Sequence, residues 1–350
     1  MKAVRFTVLC LILAIAVAPA TSTMADEQET LLNQLRDTFK KDYLSVGALM
    51  QVVGDVQPER TLPGRNGYSI ANMRVSLTGK LDRGFGYFIQ ANLINTPALL
   101  DARLDWQTNE AFRLSVGKFK APFSKELLTV ASDIDFVNRA RMIQAFSPGR
   151  QIGMMFSGWL GDRQIYYAAG MFNGNKSSIN SNDNNDFLFA GRVAAHPRVF
   201  DAPDAGDLEV GVSAAHSSDS EFDLPDSDLP AFTGKRLLLG GDLRLTCKRW
   251  LLAGEGLYTE LEPGEGESME PYGFHATVGY MATDNIQLLG RWDSYNLDDL
   301  LVENPDSDWL ILGVNYWPTG ATELQVNYIV DIDSSDFDHH QVLVNVQVVF

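Results

Sequence analysis

From Tyr43 onward the chain alternates apolar and polar residues. Leu44, Val46, Ala48, Met50 and Val52 alternate with Ser45, Gly47 and Gln51. Ala71, Met73, Val75 and Leu77 stand against Asn72, Arg74, Ser76 and Thr78, and Leu100, Ala102, Leu104 and Trp106 against Asp101, Arg103 and Asp105. A period of two predicts strands. Charge on one face and hydrocarbon on the other is what a strand between lipid and water requires. A soluble sandwich alternates too, but its strands are usually shorter and its polar face meets bulk solvent.

The connections sharpen the choice. Short ones fall at 81–84, 107–110, 160–163, 246–249, 282–285 and 318–321; long ones fall at 54–67, 119–149, 173–186, 216–234, 260–271, 295–308 and 331–340. Short inner turns alternating with long outer loops belong to outer-membrane barrels. Two connections depart from the rule: 95–98 is short where a long loop is due, and 197–206 exceeds a tight turn. Four of the six tryptophans, Trp106, Trp159, Trp250 and Trp317, adjoin short turns, as an interfacial girdle does. The fold class expected is all-β, a transmembrane antiparallel barrel of about sixteen strands over 43–350. The last run places Val342, Val344, Val346 and Val348 in one phase and ends on Phe350.

Ahead of the barrel, residues 1–25 read as a secretory signal. Lys2 and Arg5 precede an apolar run, Phe6 to Ala18, that is too short to span a bilayer as a helix. Cleavage is expected after Ala25, with Ala20 the alternative; Cys10, behind Leu9, is a poor acylation site. Residues 26–42 space Leu31, Leu35 and Phe39 for a short periplasmic helix, with a linker the alternative. Loss of the signal leaves one thiol, Cys247, so no internal disulfide can staple this exported chain. Its stability is expected from strand pairing, which a closed barrel completes.

Charge then singles out one stretch. The whole chain carries a formal −17, with 45 acidic against 28 basic residues, which argues against nucleic acid as a partner. Between 113 and 150 the balance reverses. Arg113, Lys118, Lys120, Lys125, Arg139, Arg141 and Arg150 face only Glu126, Asp133 and Asp135. This segment holds the third and longest outer loop, 119–149, with Phe123, Leu127, Leu128 and Phe136 as apolar anchors. Folded into the bore, its cations would set a passage that favours anions. The alternatives are a basic surface loop on a soluble β-protein, or Arg139 and Arg141 neutralised by Asp133 and Asp135. Wall positions in lumen phase add Arg74, Arg103, Arg192, Arg244 and Arg291 beside Asp101, Asp105, Asp242, Glu255 and Asp293. Arg103, flanked by two aspartates, reads as part of a structural lattice.

Catalytic chemistry finds little support. No GxSxG, HExxH or P-loop occurs, and CxxC is impossible with these cysteines. His275 is the histidine in lumen phase; His339 and His340 beside Asp336 and Asp338 form a polar loop before a metal site. No enzyme, cofactor or metal is expected.

The run GKFKAPFSKELLTVASDIDFVNRARMIQAFSPGRQIG resembles the signature segment of the phosphate-selective porin O and P family. Gly117 to Phe123, Glu126, Phe136 with Arg139, and Gly149 to Gly153 carry the match; GMFNG (170–174), GRVAAHP (191–197), GRWD (290–293) and GVNYWP (313–318) resemble its later strands. The resemblance implies a sixteen-stranded, trimeric porin of the Gram-negative outer membrane whose third loop lines the constriction. It departs from phosphate binders in having isolated arginines, with Asn72 before Arg74 where a second arginine is common. The expected function is passive diffusion of small hydrophilic solutes, with anions or phosphate preferred. Lys118, Lys120, Lys125, Arg139, Arg141 and Arg150, with Arg74 and Arg192 on the wall, are expected to line the constriction. Expected partners are small anions, outer-membrane lipid and lipopolysaccharide, and two further copies of the chain. The competing class is a structural or adhesive barrel with acidic, cation-binding loops and no open channel.

Overall fold

The computed structural model describes residues 43–350 apart from 61–64, 95–97, 175–179, 201–204, 225–230, 302–305 and 334–338. The proposed signal and the 26–42 helix lie outside the described residues. Sixteen strands follow in chain order: β1 (Ser45–Val56), β2 (Gly67–Lys80), β3 (Phe85–Asn92), β4 (Leu99–Asn109), β5 (Phe112–Lys120), β6 (Arg150–Leu160), β7 (Ile165–Phe172) and β8 (Leu188–Ala195), then β9 (Gly206–Phe222), β10 (Phe232–Cys247), β11 (Trp250–Pro263), β12 (Tyr272–Met281), β13 (Ile286–Asn296), β14 (Asp306–Thr319), β15 (Thr322–Asp331) and β16 (Gln341–Val349). Each pairs antiparallel with its neighbours, and β1 pairs with β16 to close the barrel. The last bonds of the seam join Ala48 N–H to the Phe350 carbonyl (2.8 Å) and Phe350 N–H to the Ala48 carbonyl (3.1 Å). Closure leaves no strand edge to be satisfied in hydrocarbon. Sixteen strands enclose a bore wide enough for an aqueous channel.

The pleat sorts the side chains as the alternation requires. Val212, Leu104, Leu312 and Val346 are exposed on the outside, whereas Asp101, Asp242, Arg291 and Asn345 are buried on the inside. At the short-turn end, aromatic rings form a belt in which Phe85 stacks on Trp106 (6.2 Å) and Phe112 meets Phe156 (5.7 Å). Two details differ from the sequence reading. Ala71 is the extra residue of a bulge, since Gln51 faces Asn72 while Val52 faces Ile70. The expected loop 216–234 shrinks to 223–231, because β9 runs to Phe222. Its Ser217 and Asp219 resemble loop residues but point inward, where Asp219 meets Arg236 at 2.6 Å.

The connection from Lys120 to Arg150 folds into the bore and occupies part of it. It carries two short helices, α1 (Lys125–Leu128) and α2 (Arg141–Phe146). Phe123, Met142 and Phe146 pack into one apolar cluster with Leu238, Leu257 and Leu261 of the wall. Phe136 packs into a second with Leu251, Leu289, Ile311, Ile329 and Leu343. The wall makes room with glycine: a Cβ at Gly313 would sit 3.1 Å from the Phe136 ring, and one at Gly273 would sit 3.0 Å from Met142. Replacing Gly313 with leucine should therefore unseat Phe136 at a cost of about 1–3 kcal/mol. The check is a lowered temperature for conversion from folded to unfolded mobility on a gel. Gly241→Ala, where nothing lies within 4 Å, should leave that temperature unchanged.

Candidate functional site

A loop inside a barrel must find partners for its peptide groups, and this one is mostly irregular. Its stems pair first, Ala121 N–H donating to the Gly149 carbonyl at 3.0 Å. Ser124 caps α1, its hydroxyl accepting from Leu127 N–H at 3.0 Å. Beyond α1 the wall takes over with side-chain amides. Gln51 of β1 donates to the Ala131 carbonyl (3.2 Å), Gln347 of β16 to that of Ser132 (2.9 Å), and Gln325 of β15 to that of Ile134 (3.0 Å). Asn315 of β14 donates to the Asp135 carbonyl (2.9 Å), and Asn327 accepts from Val137 N–H (2.8 Å). The loop thus crosses the bore and lies against the far wall.

Ion pairs fasten it there. Glu126 sits between Arg291 Nη2 (2.7 Å) and His275 Nε2 (3.6 Å), and also accepts Ala140 N–H at 2.9 Å. Asp135 takes a two-pronged contact from Arg244 (2.7 and 3.0 Å). Arg141 reaches Asp293 (3.3 Å) and the Ser307 hydroxyl (2.7 Å), its guanidinium 4.0 Å over the Trp309 ring. Lys125 pairs with Glu209, which also meets Arg192 at 2.9 Å; Arg192 pairs in addition with Asp242. Neutralisation of Arg139 and Arg141 by Asp133 and Asp135 is not what forms. Asp135 is drawn to Arg244 instead, and Arg139 donates to the carbonyls of Glu126 (2.9 Å) and Thr129 (2.6 Å).

The near side of the bore stays open as two cavities. The outer one, about 680 Å³, lies towards the long loops and is lined by Gln51, Asp55, Asn72, Arg74, Arg139 and Gln144 among others. The inner one, about 470 Å³, lies towards the short turns and is lined by Arg74, Asp101, Arg103, Lys120 and Arg150 together with several apolar groups. Arg74 and Ala131 border both cavities, which places them where the two adjoin. The basic residues expected at a constriction are therefore divided. Arg74, Lys120, Arg139 and Arg150 line the cavities. Lys118 is buried on β5, within electrostatic reach of Arg150 and Asp101. Lys125, Arg141 and Arg192 face the carboxylates of the far wall and line neither cavity. Their difference lies in tertiary placement, which net charge along the chain does not encode.

Hydrogen-bond capacity separates the cavity cations further. Lys120 is held by the carbonyls of Leu127 (2.6 Å), Leu128 (3.4 Å) and Thr129 (2.9 Å). Arg74 uses only Nε, on Asn72 (2.8 Å), so its two terminal amino groups have no protein partner among the described residues. Arg150 meets Asp101 through Nε and Nη2, both at 3.0 Å, and keeps Nη1. Arg103, expected only as lattice, gives Nε to Asp105 (3.1 Å) and also borders the inner cavity. Its inward phase beside Asp105 was visible in the sequence; its spare donors were not. His340 meets the Tyr328 hydroxyl at 2.6 Å, while Asp336 and Asp338 lie outside the described residues.

Comparison with known proteins gives a matching picture. The family model described as phosphate-selective porin O and P matches residues 50–348. No curated protein matches by sequence. Among solved structures, an anion-selective porin from Comamonas acidovorans superimposes with a TM-score of 0.65 at 12% identity, covering 88% of this chain and 99% of that one. OmpT of Vibrio cholerae in its trimer form gives 0.60 at 11% identity, over 88% of this chain and 99% of its own. The outer-membrane channel DcaP of Acinetobacter baumannii gives 0.56 at 11%, over 89% and 99%. At such identities these likenesses speak to the fold.

Glu126 is the test of the loop's fastening. Burial pushes its carboxyl up, but Arg291, His275 and the Ala140 N–H outweigh that and hold it below the usual carboxylate range. A depressed value means the anchor is fully present above the unfolded value near ~4.3 and is lost only as pH falls through the lower folded value. As far as this anchor sets it, single-channel conductance should therefore hold steady from pH 7 to about 5 and rise only in stronger acid. Glu126→Gln leaves Arg291 buried without its acid, a loss of about 3–5 kcal/mol for such a pair. That variant should conduct more, and more noisily, already at pH 7, whereas Lys125→Gln, which leaves Glu209 still paired with Arg192, should change little.

Proposed function

We infer that this chain, which belongs to the phosphate-selective porin O and P family, is a passive diffusion channel whose waist favours anions. As a member of that family with a closed sixteen-strand barrel, it is an outer-membrane channel of a Gram-negative bacterium that passes small solutes. The adhesive-barrel alternative is not favoured by these findings. The observation that carries the anion preference is the uneven use of charge around the bore. Where the loop meets the far wall, Glu126 and Asp135 of the loop and Glu209, Asp242 and Asp293 of the wall are each engaged by a cation. Beside the passage, Arg74, Lys120, Arg139 and Arg150 have one paired acid among them, Asp101, and the other lining acid, Asp55, is paired with Arg60.

A narrow channel with low-dielectric walls focuses the field of such groups. The acidic outer loops act across water and are screened beyond about 8–10 Å at ordinary salt. Entry is then governed by the local excess of positive charge, even though the chain as a whole is at −17. Arg74, with open donors at the junction, is proposed as the selectivity residue. Lys120, Arg139 and Arg150 support it by charge, and Lys118 from behind the wall. Phosphate is one candidate solute among small anions.

Assembly as a homotrimer is proposed on the family resemblance and on the trimer form of the Vibrio cholerae relative. Lipid and lipopolysaccharide would surround it, and residues 1–25 would direct export. Catalysis has no part in this reading.

Reversal potential in a planar bilayer under a KCl gradient tests the preference directly. The expected sign is that of chloride over potassium. Arg74→Glu should abolish or invert it, while Lys125→Glu, which acts at the far wall, should move it much less. A potassium preference in the unaltered protein would overturn the reading.

A further inference from the structure

The inward face of a water-filled barrel is normally polar. Much of this wall obeys, with Asn315, Gln325, Asn327, Asn345 and Gln347 buried on β14 to β16. The outer cavity is mixed, with Gln51, Ser69, Asn72, Asn138, Gln341 and Asn345 beside Ile134, Val137, Leu343 and the single ring of Trp309. The inner cavity gathers more rings. Phe88 of β3, Phe119 of β5, Met155 of β6 and Tyr166 of β7 all line it, next to the cations already described. Phe88 and Tyr166 are only half-buried, so they present ring surface to the passage.

Arg103 joins the two characters. Its guanidinium lies 5.9 Å from the centre of the Phe88 ring and 5.8 Å from that of Phe119, so it is held against two aromatic faces. Only its Nε is committed, to Asp105. Together with Arg74 and Arg150, it gives the cavity three guanidinium groups with donors unused among the described residues. An inorganic anion would use the donors and leave the rings facing water. A ligand that carries both a carboxylate and a ring uses everything the cavity offers.

We propose that the inner cavity binds small aromatic carboxylates in transit, the carboxylate on Arg74 and Arg150 and the ring against Phe88 and Tyr166 beside Arg103. The proposal rests on the anion-favouring reading of the waist and narrows its solute class. Binding of this kind must be weak enough for release, as conduction demands. The outer cavity lets the hydrated anion approach, and the ring loses its water only after passing the junction at Arg74.

The experiment is block of single-channel current by benzoate, cyclohexanecarboxylate, acetate and inorganic phosphate, added in turn to the purified full-length protein in KCl. Benzoate should reach half-block at a concentration at least about tenfold below acetate and phosphate, with cyclohexanecarboxylate between. The double variant Phe88→Leu, Tyr166→Leu should bring benzoate close to cyclohexanecarboxylate. Should that variant fail to insert, the ligand series on the unaltered protein decides. Phosphate or acetate blocking as well as benzoate would overturn the proposal. Cyclohexanecarboxylate equal to benzoate in the unaltered protein would overturn its aromatic part. Chloride preference with such equal block would leave the channel reading standing, whereas potassium preference would remove both.

Discussion

The structure depends on a requirement of the peptide bond: a chain segment placed inside a barrel must have its N–H and C=O groups answered. Residues 131–137 cannot answer them internally, since they form neither helix nor strand. The answer comes from Gln51, Asn315, Gln325, Asn327 and Gln347, whose side chains stand on the inward face of β1, β14, β15 and β16. This dictates where the loop can rest. Having crossed to that wall, it leaves open an inner space beside β1 to β7 and an outer one beside β1, β2, β14 and β16, and the solute passage lies there by exclusion.

The same crossing sorts the charges. Carboxylates where loop meets wall are consumed as fasteners: the loop's Glu126 by Arg291 and Asp135 by Arg244, the wall's Asp293 by Arg141. Buried pairs of this kind are costly to break and modest as net stabilisers, so they serve to fix one position of the loop. What remains beside the passage is a set of cations held more by carbonyl oxygens than by acids, Lys120 and Arg139 being the clearest cases. Carbonyl partners hold a cation in place without cancelling its charge. An acidic protein can thereby present a positive waist.

Much of this was legible in the chain. Alternation and the spacing of short and long connections defined sixteen strands, and the third long connection stood out by length and charge. Legibility ended where partners are chosen across the bore. Lys125, Arg141 and Arg192 belong to the same basic set as Arg74 and Arg150 by sequence, but the crossing of the loop carries Lys125 and Arg141 to the far side, and Arg192 is spent on Glu209 and Asp242 from its place on β8. Ser217 and Asp219 looked like loop because polarity marks both loops and lumen walls; the ion pair to Arg236 distinguishes them. The inward phase of Phe88 follows from its alternation with Ile89, yet its meaning emerges only with Arg103 above it.

The seam between β1 and β16 has a consequence for how the molecule comes to exist. Its partners, such as Leu49 and Val349, stand at opposite ends of the barrel sequence, and pairing of such distant segments is slow compared with hairpin formation. Three of the amide side chains that hold the loop, Gln325, Asn327 and Gln347, belong to the last two strands. An unfinished barrel therefore has an unfastened loop as well as open edges. Sealing against lipid and narrowing of the bore become one late event in assembly, and a chain that stalls before it is wide, leaky and ready to pair with a neighbour's strand.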